Sequence, residues 1–128
     1  MRSAVTTEAA PRAIGPYAQA IAAGNLVFCS GQIPLDPGSG DLITGSIEIE
    51  TKRVVDNLEA VLAAAGCRLA DVVKTTIFLT DMGHFADVNR IYGERFGAAP
   101  PARSTIQVAA LPKGARVEIE AIAIRANQ

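Results

Sequence analysis

Two glutamates near the C-terminal end have a spacing that suits acid–base chemistry. Residues two apart in a strand share a face, so a strand over residues 116–124 places Glu118 and Glu120 on one side, roughly 7 Å apart. The same face continues with Ile122. A carboxylate on such a face is partly desolvated, which suits it to act as a general base or to orient water. The structural alternative is that both are rim residues paired with Arg116 or another base.

Arg103 is the cation closest to these glutamates along the chain. It begins a strand predicted over residues 102–108, where the alternation places it on one face with Thr105 and Gln107. A guanidinium is a planar fork that matches a carboxylate, so a small carboxylic acid is its natural ligand. If the two closing strands lie near each other, Arg103 and Glu118 converge on one pocket. On residue type alone, a solvated strand-end arginine or a salt bridge is the more ordinary role.

Three further residues could line a pocket, each on weaker grounds. Tyr17 follows Ile14-Gly15-Pro16 and presents a phenol on a constrained approach. Ser30 and Gly31 end a strand with a hydroxyl and with an N–H that a ligand can approach closely. The plainer interpretation is that Tyr17 is a packed aromatic and Gly31 part of a turn.

Composition argues against several other chemistries. The 128 residues contain one histidine, His84, which argues against a histidine-based zinc site or a Ser-His-Asp triad. The two cysteines, Cys29 and Cys67, lie apart in apolar surroundings and are predicted to be buried free thiols. Lys and Arg number 12 against 13 acidic residues, without a basic run, which argues against a nucleic-acid surface.

The targeting features predict a cytoplasmic protein with no membrane partner. No apolar run approaches the roughly 18 residues that a spanning helix needs. The first residues lack the apolar core of a signal peptide. The length predicts one domain over residues 1–128.

The elements that must position these residues follow from periodicity and turn residues. The first predicted elements are a hairpin of strands at 17–21 and 26–29 and a helix of about 18 residues from Ile47 to just before Gly66. A strand at 72–79, covered on both faces, follows, and then a helix that is capped by Asp81, ends at Gly97 and has Phe85, Val88, Tyr92 and Phe96 on its apolar face. The last predicted elements are strands at 102–108 and 116–124. This order predicts an α+β fold, one mixed sheet with both helices on one face. The other sheet face is predicted to be buried against another copy of the chain, which makes a homo-oligomer.

Five ordered segments carry a resemblance to a known family. They are Ile14-Gly15-Pro16-Tyr17, Ser30-Gly31-Gln32-Ile33-Pro34, Val73-Lys74-Thr75-Thr76, Pro101-Ala102-Arg103-Ser104 and Val117-Glu118-Ile119-Glu120-Ala121-Ile122-Ala123. Together they resemble the YjgF/RidA family of reactive-intermediate imine deaminases over essentially the whole chain.

The resemblance implies a chorismate-mutase-like (bacillus type) α+β fold, assembled as a homotrimer with active sites in the clefts between subunits. The implied reaction is hydrolysis of 2-iminobutanoate and 2-iminopropanoate to 2-oxo acids and ammonia, which limits metabolite damage downstream of pyridoxal-phosphate dehydratases. By position, Arg103 would bind the substrate carboxylate and Glu118 would position or activate water. The residues implied to line the pocket are Tyr17, Ser30, Gly31, Asn89 and Thr105. No cofactor or metal is implied.

One position departs from the family pattern. Many members of the imine-deaminase branch have cysteine two residues after the arginine, where this chain has Thr105, so thiol-dependent properties are not expected.

Two other functions stay open. One is an endoribonuclease or translation inhibitor, against which the near-neutral charge and the lack of a histidine pair argue. The other is a non-catalytic, chaperone-like trimer that binds small carboxylates without needing Glu118.

Overall fold

The computed structural model describes residues 1–126. Within them, six strands form one mixed sheet with two α-helices. The strands are β1 Arg2–Val5, β2 Ala20–Ala23, β3 Leu26–Gln32, β4 Val72–Leu79, β5 Ala102–Gln107 and β6 Val117–Ile124, and the helices are α1 Ile47–Ala64 and α2 Phe85–Phe96. The sheet order is β1-β2-β3-β6-β4-β5. Only β4 and β5 pair in parallel; the other neighbours are antiparallel.

The long helix α1 forms where the apolar periodicity predicts it. The Ser46 hydroxyl caps its first turn by accepting a hydrogen bond from the Ile49 backbone N–H at 3.2 Å. Gly66 follows the helix with φ 81°, a conformation that glycine adopts without strain. The apolar face is completely buried on the sheet: Val54, Val55, Leu58, Val61 and Leu62. This packing confirms the prediction of a helix held by its core-facing stripe.

Both helices lie on the same face of the sheet, as predicted. α1 packs on β3 and β6, and α2 is joined to β4 by a 2.6 Å hydrogen bond between the hydroxyls of Tyr92 and Thr75. Asp81 was expected to cap α2 directly. Instead its carboxylate accepts from the Gly83 N–H at 2.8 Å and caps a short 3-10 turn that leads into the helix.

The opposite sheet face is apolar and open in the single chain. Phe28, Ile106 and Ile124 on this face are 43–45% exposed. The register aligns Phe28 with Ile21 and Ile122 on the flanking strands. The prediction that β4 is covered on both faces is therefore wrong for one chain, because only its helix-facing side chains are buried.

Two other expectations need correction. The first hairpin strand begins at Ala20 rather than Tyr17, because residues 6–19 form the loop between β1 and β2, which Gln19 ties down through the Pro11 carbonyl. β1 was not predicted at all: four residues at the N-terminus become a strand through pairing with β2. None of the helices within residues 1–126 combines the length and apolar character that crossing a bilayer requires.

Candidate functional site

A cavity of about 390 Å³ lies at one end of β3 and β6. Its walls come from the loop before β2, the end of β3 and the turn before β6. Its lining includes Arg12, Tyr17, Gln19, Ser30, Gly31, Lys113 and Glu118. Four of the predicted site residues, Tyr17, Ser30, Gly31 and Glu118, are thus brought together by the fold.

Glu118 is the acidic residue of this cavity. Its register partner on β4 is Phe78, while its neighbours Val117 and Ile119 point into the core on the other side. Burial raises the pKa of the Glu118 carboxyl, and the nearby charge of Glu120 raises it further. Within residues 1–126 the Glu118 carboxylate forms no ion pair or hydrogen bond. It is therefore a half-buried carboxylate that faces a cavity without a fixed partner.

Gly31 is required by the position of this carboxylate. A methyl group at residue 31 would overlap the Glu118 Oε2 atom and lie far inside van der Waals contact with its Cδ. The sequence suggested that a ligand approaches the Gly31 backbone closely. The structure shows that the Glu118 side chain makes such an approach.

The loop wall of the cavity is held by Gln19, which sequence reasoning missed. The Gln19 side chain is buried and accepts from the Thr7 N–H at 2.8 Å, while its amide donates to the Thr7 and Pro11 carbonyls at 3.0 and 2.8 Å. A glutamine beside a strand has no sequence feature that announces such a role. Because Gln19 satisfies three backbone groups of one loop, it fixes that loop over the cavity.

Tyr17 and Ser30 complete the same wall. The Tyr17 hydroxyl accepts from the Ile14 N–H at 3.3 Å, and half of its side chain stays exposed. The Ser30 hydroxyl donates to the Ala18 carbonyl at 2.6 Å, so its proton is committed to the loop. Its oxygen can still accept a hydrogen bond from a ligand.

Arg103 lies on the other face of the sheet. It pairs with Thr75, whose side chain contacts α2, and its guanidinium carbon lies 5.0 and 5.6 Å from the ring centroids of Tyr92 and Phe85. Asn89 on α2 accepts from Arg103 Nη1 at 2.8 Å. These contacts hold the guanidinium in one place while leaving other N–H groups free for an anion.

The expectation that Arg103 and Glu118 converge on one pocket is wrong within a single chain. The closing strands β5 and β6 are not neighbours, because β4 lies between them. Alternation along the paired strands then directs the two side chains to opposite faces. One chain therefore carries two half-sites, a carboxylate cavity and a cation held by α2.

Thr105 belongs to the arginine half-site. It pairs with Ile77, two residues further along the same face as Arg103. Its Oγ1 atom is buried and has no hydrogen-bond partner within residues 1–126. An unpaired buried hydroxyl is uncommon in proteins and is available to a ligand or to a second chain.

The two thiols lie in the protein interior, away from the cavity. Cys29 and Cys67 are buried free thiols, as predicted, and burial raises the pKa of Cys29 to about 12. No cluster of three or more metal-ligating side chains forms in the described part of the chain.

Comparison with known proteins places the chain in a family. Residues 7–125 match the family model described as Endoribonuclease L-PSP. A mouse protein named 2-iminobutanoate/2-iminopropanoate deaminase is 50% identical over 125 residues, which cover 98% of this chain and 93% of that protein.

Two solved structures have the same fold. A Yersinia pestis protein of the conserved Rid family superposes with a TM-score of 0.94 at 50% identity, covering 97% of this chain and 99% of its own. The Escherichia coli protein TdcF, crystallised with bound serine, gives a TM-score of 0.91 at 40% identity over 97% and 99% of the two chains. The chain belongs to the YjgF/Rid family, the family whose model is described as Endoribonuclease L-PSP.

Proposed function

We propose that the protein hydrolyses short-chain 2-imino acids, such as 2-iminobutanoate and 2-iminopropanoate, to 2-oxo acids and ammonia. The site would be assembled between copies of the chain in a homotrimer, with Arg103 of one copy facing Glu118 of the next. In a cell this reaction would remove reactive imines released by pyridoxal-phosphate dehydratases. The observation that carries the proposal is the Glu118 carboxylate, half-buried, with a raised pKa and no cationic partner within residues 1–126.

The two half-sites supply complementary functions. The free N–H groups of Arg103 would bind the substrate carboxylate, a charge-assisted contact of about 1.5–3 kcal/mol. Glu118, a stronger base than an ordinary carboxylate because its pKa is raised, would take a proton from water as the water oxygen bonds to the imine carbon. The C=N electrons move to nitrogen. Glu118 returns this proton to the nitrogen, which gives the carbinolamine, and then transfers the hydroxyl proton to the nitrogen as the C–N bond breaks, so that the 2-oxo group forms and ammonia leaves.

Assembly explains the two surfaces that one chain leaves incomplete. The apolar side chains Phe28, Ile106 and Ile124 are the ones that a neighbouring copy would cover. Since Arg103 and Glu118 face opposite sides of the sheet, a cyclic arrangement brings one half-site of each copy against the other half-site of the next.

The mouse deaminase and the serine complex of TdcF support the substrate class, because the first is named for two short 2-imino acids and the second binds a small amino acid. The endoribonuclease alternative has the family description behind it. An assay of 2-iminobutanoate hydrolysis without RNA separates the two, since only an imine hydrolase accelerates 2-oxo acid formation there.

Mixing two inactive variants tests the reaction and the shared site together. Arg103→Gln and Glu118→Gln are each expected to lose accelerated hydrolysis of 2-iminobutanoate. After the two are unfolded, mixed and refolded, random trimers recover activity at about one quarter of the wild-type sites, because some interfaces pair an intact Arg103 with an intact Glu118. Light scattering should report three chains per particle.

The control is each variant refolded alone, which must stay inactive, and wild type refolded with Lys52→Gln, an exposed charge removal expected to keep full activity. No recovery in the mixture would overturn the site shared between copies. If wild type does not accelerate hydrolysis at all, the proposed reaction is wrong.

A further inference from the structure

We propose that the Glu118 cavity selects 2-imino acids that carry a second carboxylate on their side chain, and that Arg12 and Lys113 bind this distal carboxylate. The inference rests on the proposed function, because it names the substrate class of the same site.

The first observation is an excess of unpaired positive charge in the cavity. Arg12 and Lys113 both line it, and Glu118 is its one carboxylate. Within residues 1–126, Arg12 makes no hydrogen bond or ion pair, and the Lys113 ammonium donates only to the Gly40 carbonyl at 3.2 Å.

Five arginines elsewhere in the described chain have a carboxylate partner. The arginines that lie within 4.0 Å of a carboxylate oxygen are Arg53, Arg68, Arg90, Arg95 and Arg116. Two cations without a carboxylate partner on the wall of one cavity are therefore suited to an anion that arrives with the ligand.

The second observation is the backbone at Lys113. Its φ of 58° is the one positive value at a non-glycine residue among those described. Glycine or asparagine adopts this conformation at less strain than lysine. Residues held in this conformation cluster at active sites and ligand contacts, which favours a binding role for Lys113 on the cavity wall.

The third observation is the size and lining of the cavity. About 390 Å³ lies within the range of pockets that hold ligands much larger than a short imino acid. Apolar groups of Pro11, Ile33 and Leu35 also line it and suit the methylene groups of a longer side chain. Among amino-acid-derived imines, a side chain that is both longer and anionic ends in a carboxylate.

The test compares a dicarboxylic imine with a neutral one. The readout is the ratio of kcat/KM for 2-iminoglutarate to kcat/KM for 2-iminobutanoate, in wild type, Arg12→Gln, Lys113→Asn and the control Lys52→Gln. Asparagine at residue 113 tolerates the positive φ, so that variant removes the charge without added strain. We expect the ratio to fall about tenfold or more in the two cavity variants, the effect of one lost charge-assisted hydrogen bond, and to stay unchanged in Lys52→Gln.

A binding measurement keeps this inference separate from the proposed reaction. Calorimetry with the products 2-oxoglutarate and 2-oxobutanoate requires no turnover, and wild type is expected to bind 2-oxoglutarate more tightly, a preference that both cavity variants lose. An unchanged kcat/KM ratio together with an unchanged Kd preference would overturn the distal subsite while leaving the deaminase intact. If wild type hydrolyses neither imine, the proposed function fails and the Kd preference alone decides the subsite.

Discussion

Glu50 and Glu118 are two carboxylates removed from water in opposite ways. Glu50 on α1 is only 4% exposed and accepts two hydrogen bonds from Arg116, at 3.1 Å from Nε and 2.5 Å from Nη2. Glu118 follows Arg116 by two residues and has no such partner within residues 1–126. The difference shows that Arg116, two residues before Glu118 in the sequence, is committed to the structural carboxylate and not to the cavity carboxylate.

The same comparison decides between the two sequence interpretations of the paired glutamates. The structural alternative had Glu118 or Glu120 paired with Arg116. Arg116 instead binds Glu50 and the Gly45 carbonyl, the latter at 3.0 Å, and the hydrogen bonds that it donates to Glu50 raise its pKa. It therefore joins α1, the preceding loop and β6, and it leaves the cavity side of β6 without a fixed counter-charge.

Glu118→Gln gives the largest expected effect on activity. Removal of the base should lower kcat/KM for 2-iminobutanoate by about 10²–10⁴-fold. Stability should rise slightly at neutral pH. Because the pKa of Glu118 is higher in the folded chain than in the unfolded chain, the folded chain binds the proton more tightly. The free energy of unfolding therefore falls as the pH rises from the unfolded-state pKa through the folded-state pKa. Glutamine removes this penalty.

Urea denaturation and imine hydrolysis measured on the same preparations check that prediction. The matched variant is Glu50→Gln, which should lose stability because the Arg116 pair is broken. Equal losses of stability in the two variants would contradict a functional role for Glu118.

Arg116→Met tests the structural half of the comparison. It leaves the buried Glu50 carboxylate without its partner and should lower the free energy of unfolding by about 2–3 kcal/mol. This is less than the loss for a fully buried pair, because the Arg116 side chain is 36% exposed. Arg90→Met, which removes three exposed ion pairs, with Glu48, Asp87 and Glu94, at 3.4–4.0 Å, should cost less than about 1 kcal/mol. Denaturant midpoints at fixed protein concentration measure both, and similar losses would refute the distinction.

Gly31→Ala tests how Glu118 is held in the absence of a cation. The added methyl group overlaps the Glu118 carboxylate, so the side chain must move away from its cavity position, and kcat/KM should fall about 10–100-fold. Gly93→Ala on α2 is the control, because a methyl group there meets nothing within 4 Å. Full activity in Gly31→Ala would mean that Glu118 works from more than one position.

The sequence was sufficient where short-range patterns decide the structure. The stripe of Val54, Leu58 and Leu62 defines α1 by its period alone, and Glu118 and Glu120 share a face because strands alternate. Long-range pairing was not predictable in the same way. The placement of β4 between β5 and β6 depends on which strands pair across the sheet, and that choice separated Arg103 from Glu118.

The cavity walls show the same division. Tyr17, Ser30 and Gly31 were singled out by residue type and local sequence, and the family resemblance placed them in the pocket. Gln19 and Arg12 were not, because their roles arise only when the loop before β2 folds over the ends of β3 and β6. β1 was missed since its four residues, Arg2–Val5, form a strand only by pairing with β2.

Glu120→Gln gives the smallest expected effect and isolates the electrostatic part of the Glu118 environment. The carboxylate of Glu120 is the second cause, after burial, of the raised pKa of Glu118. With that charge removed, the pKa of Glu118 falls. Since the base acts when deprotonated, the acid limb of the kcat/KM profile should move to lower pH.

Profiles of kcat/KM against pH for wild type, Glu120→Gln and Glu8→Gln measure this shift. Glu8 is exposed and is not one of the residues that line the cavity, so its replacement changes the net charge by the same amount. Added salt should reduce the difference between wild type and Glu120→Gln, because the interaction between partly exposed charges is screened. An acid limb that stays in place in Glu120→Gln, or that moves equally in Glu8→Gln, would show that the proton being measured does not belong to Glu118.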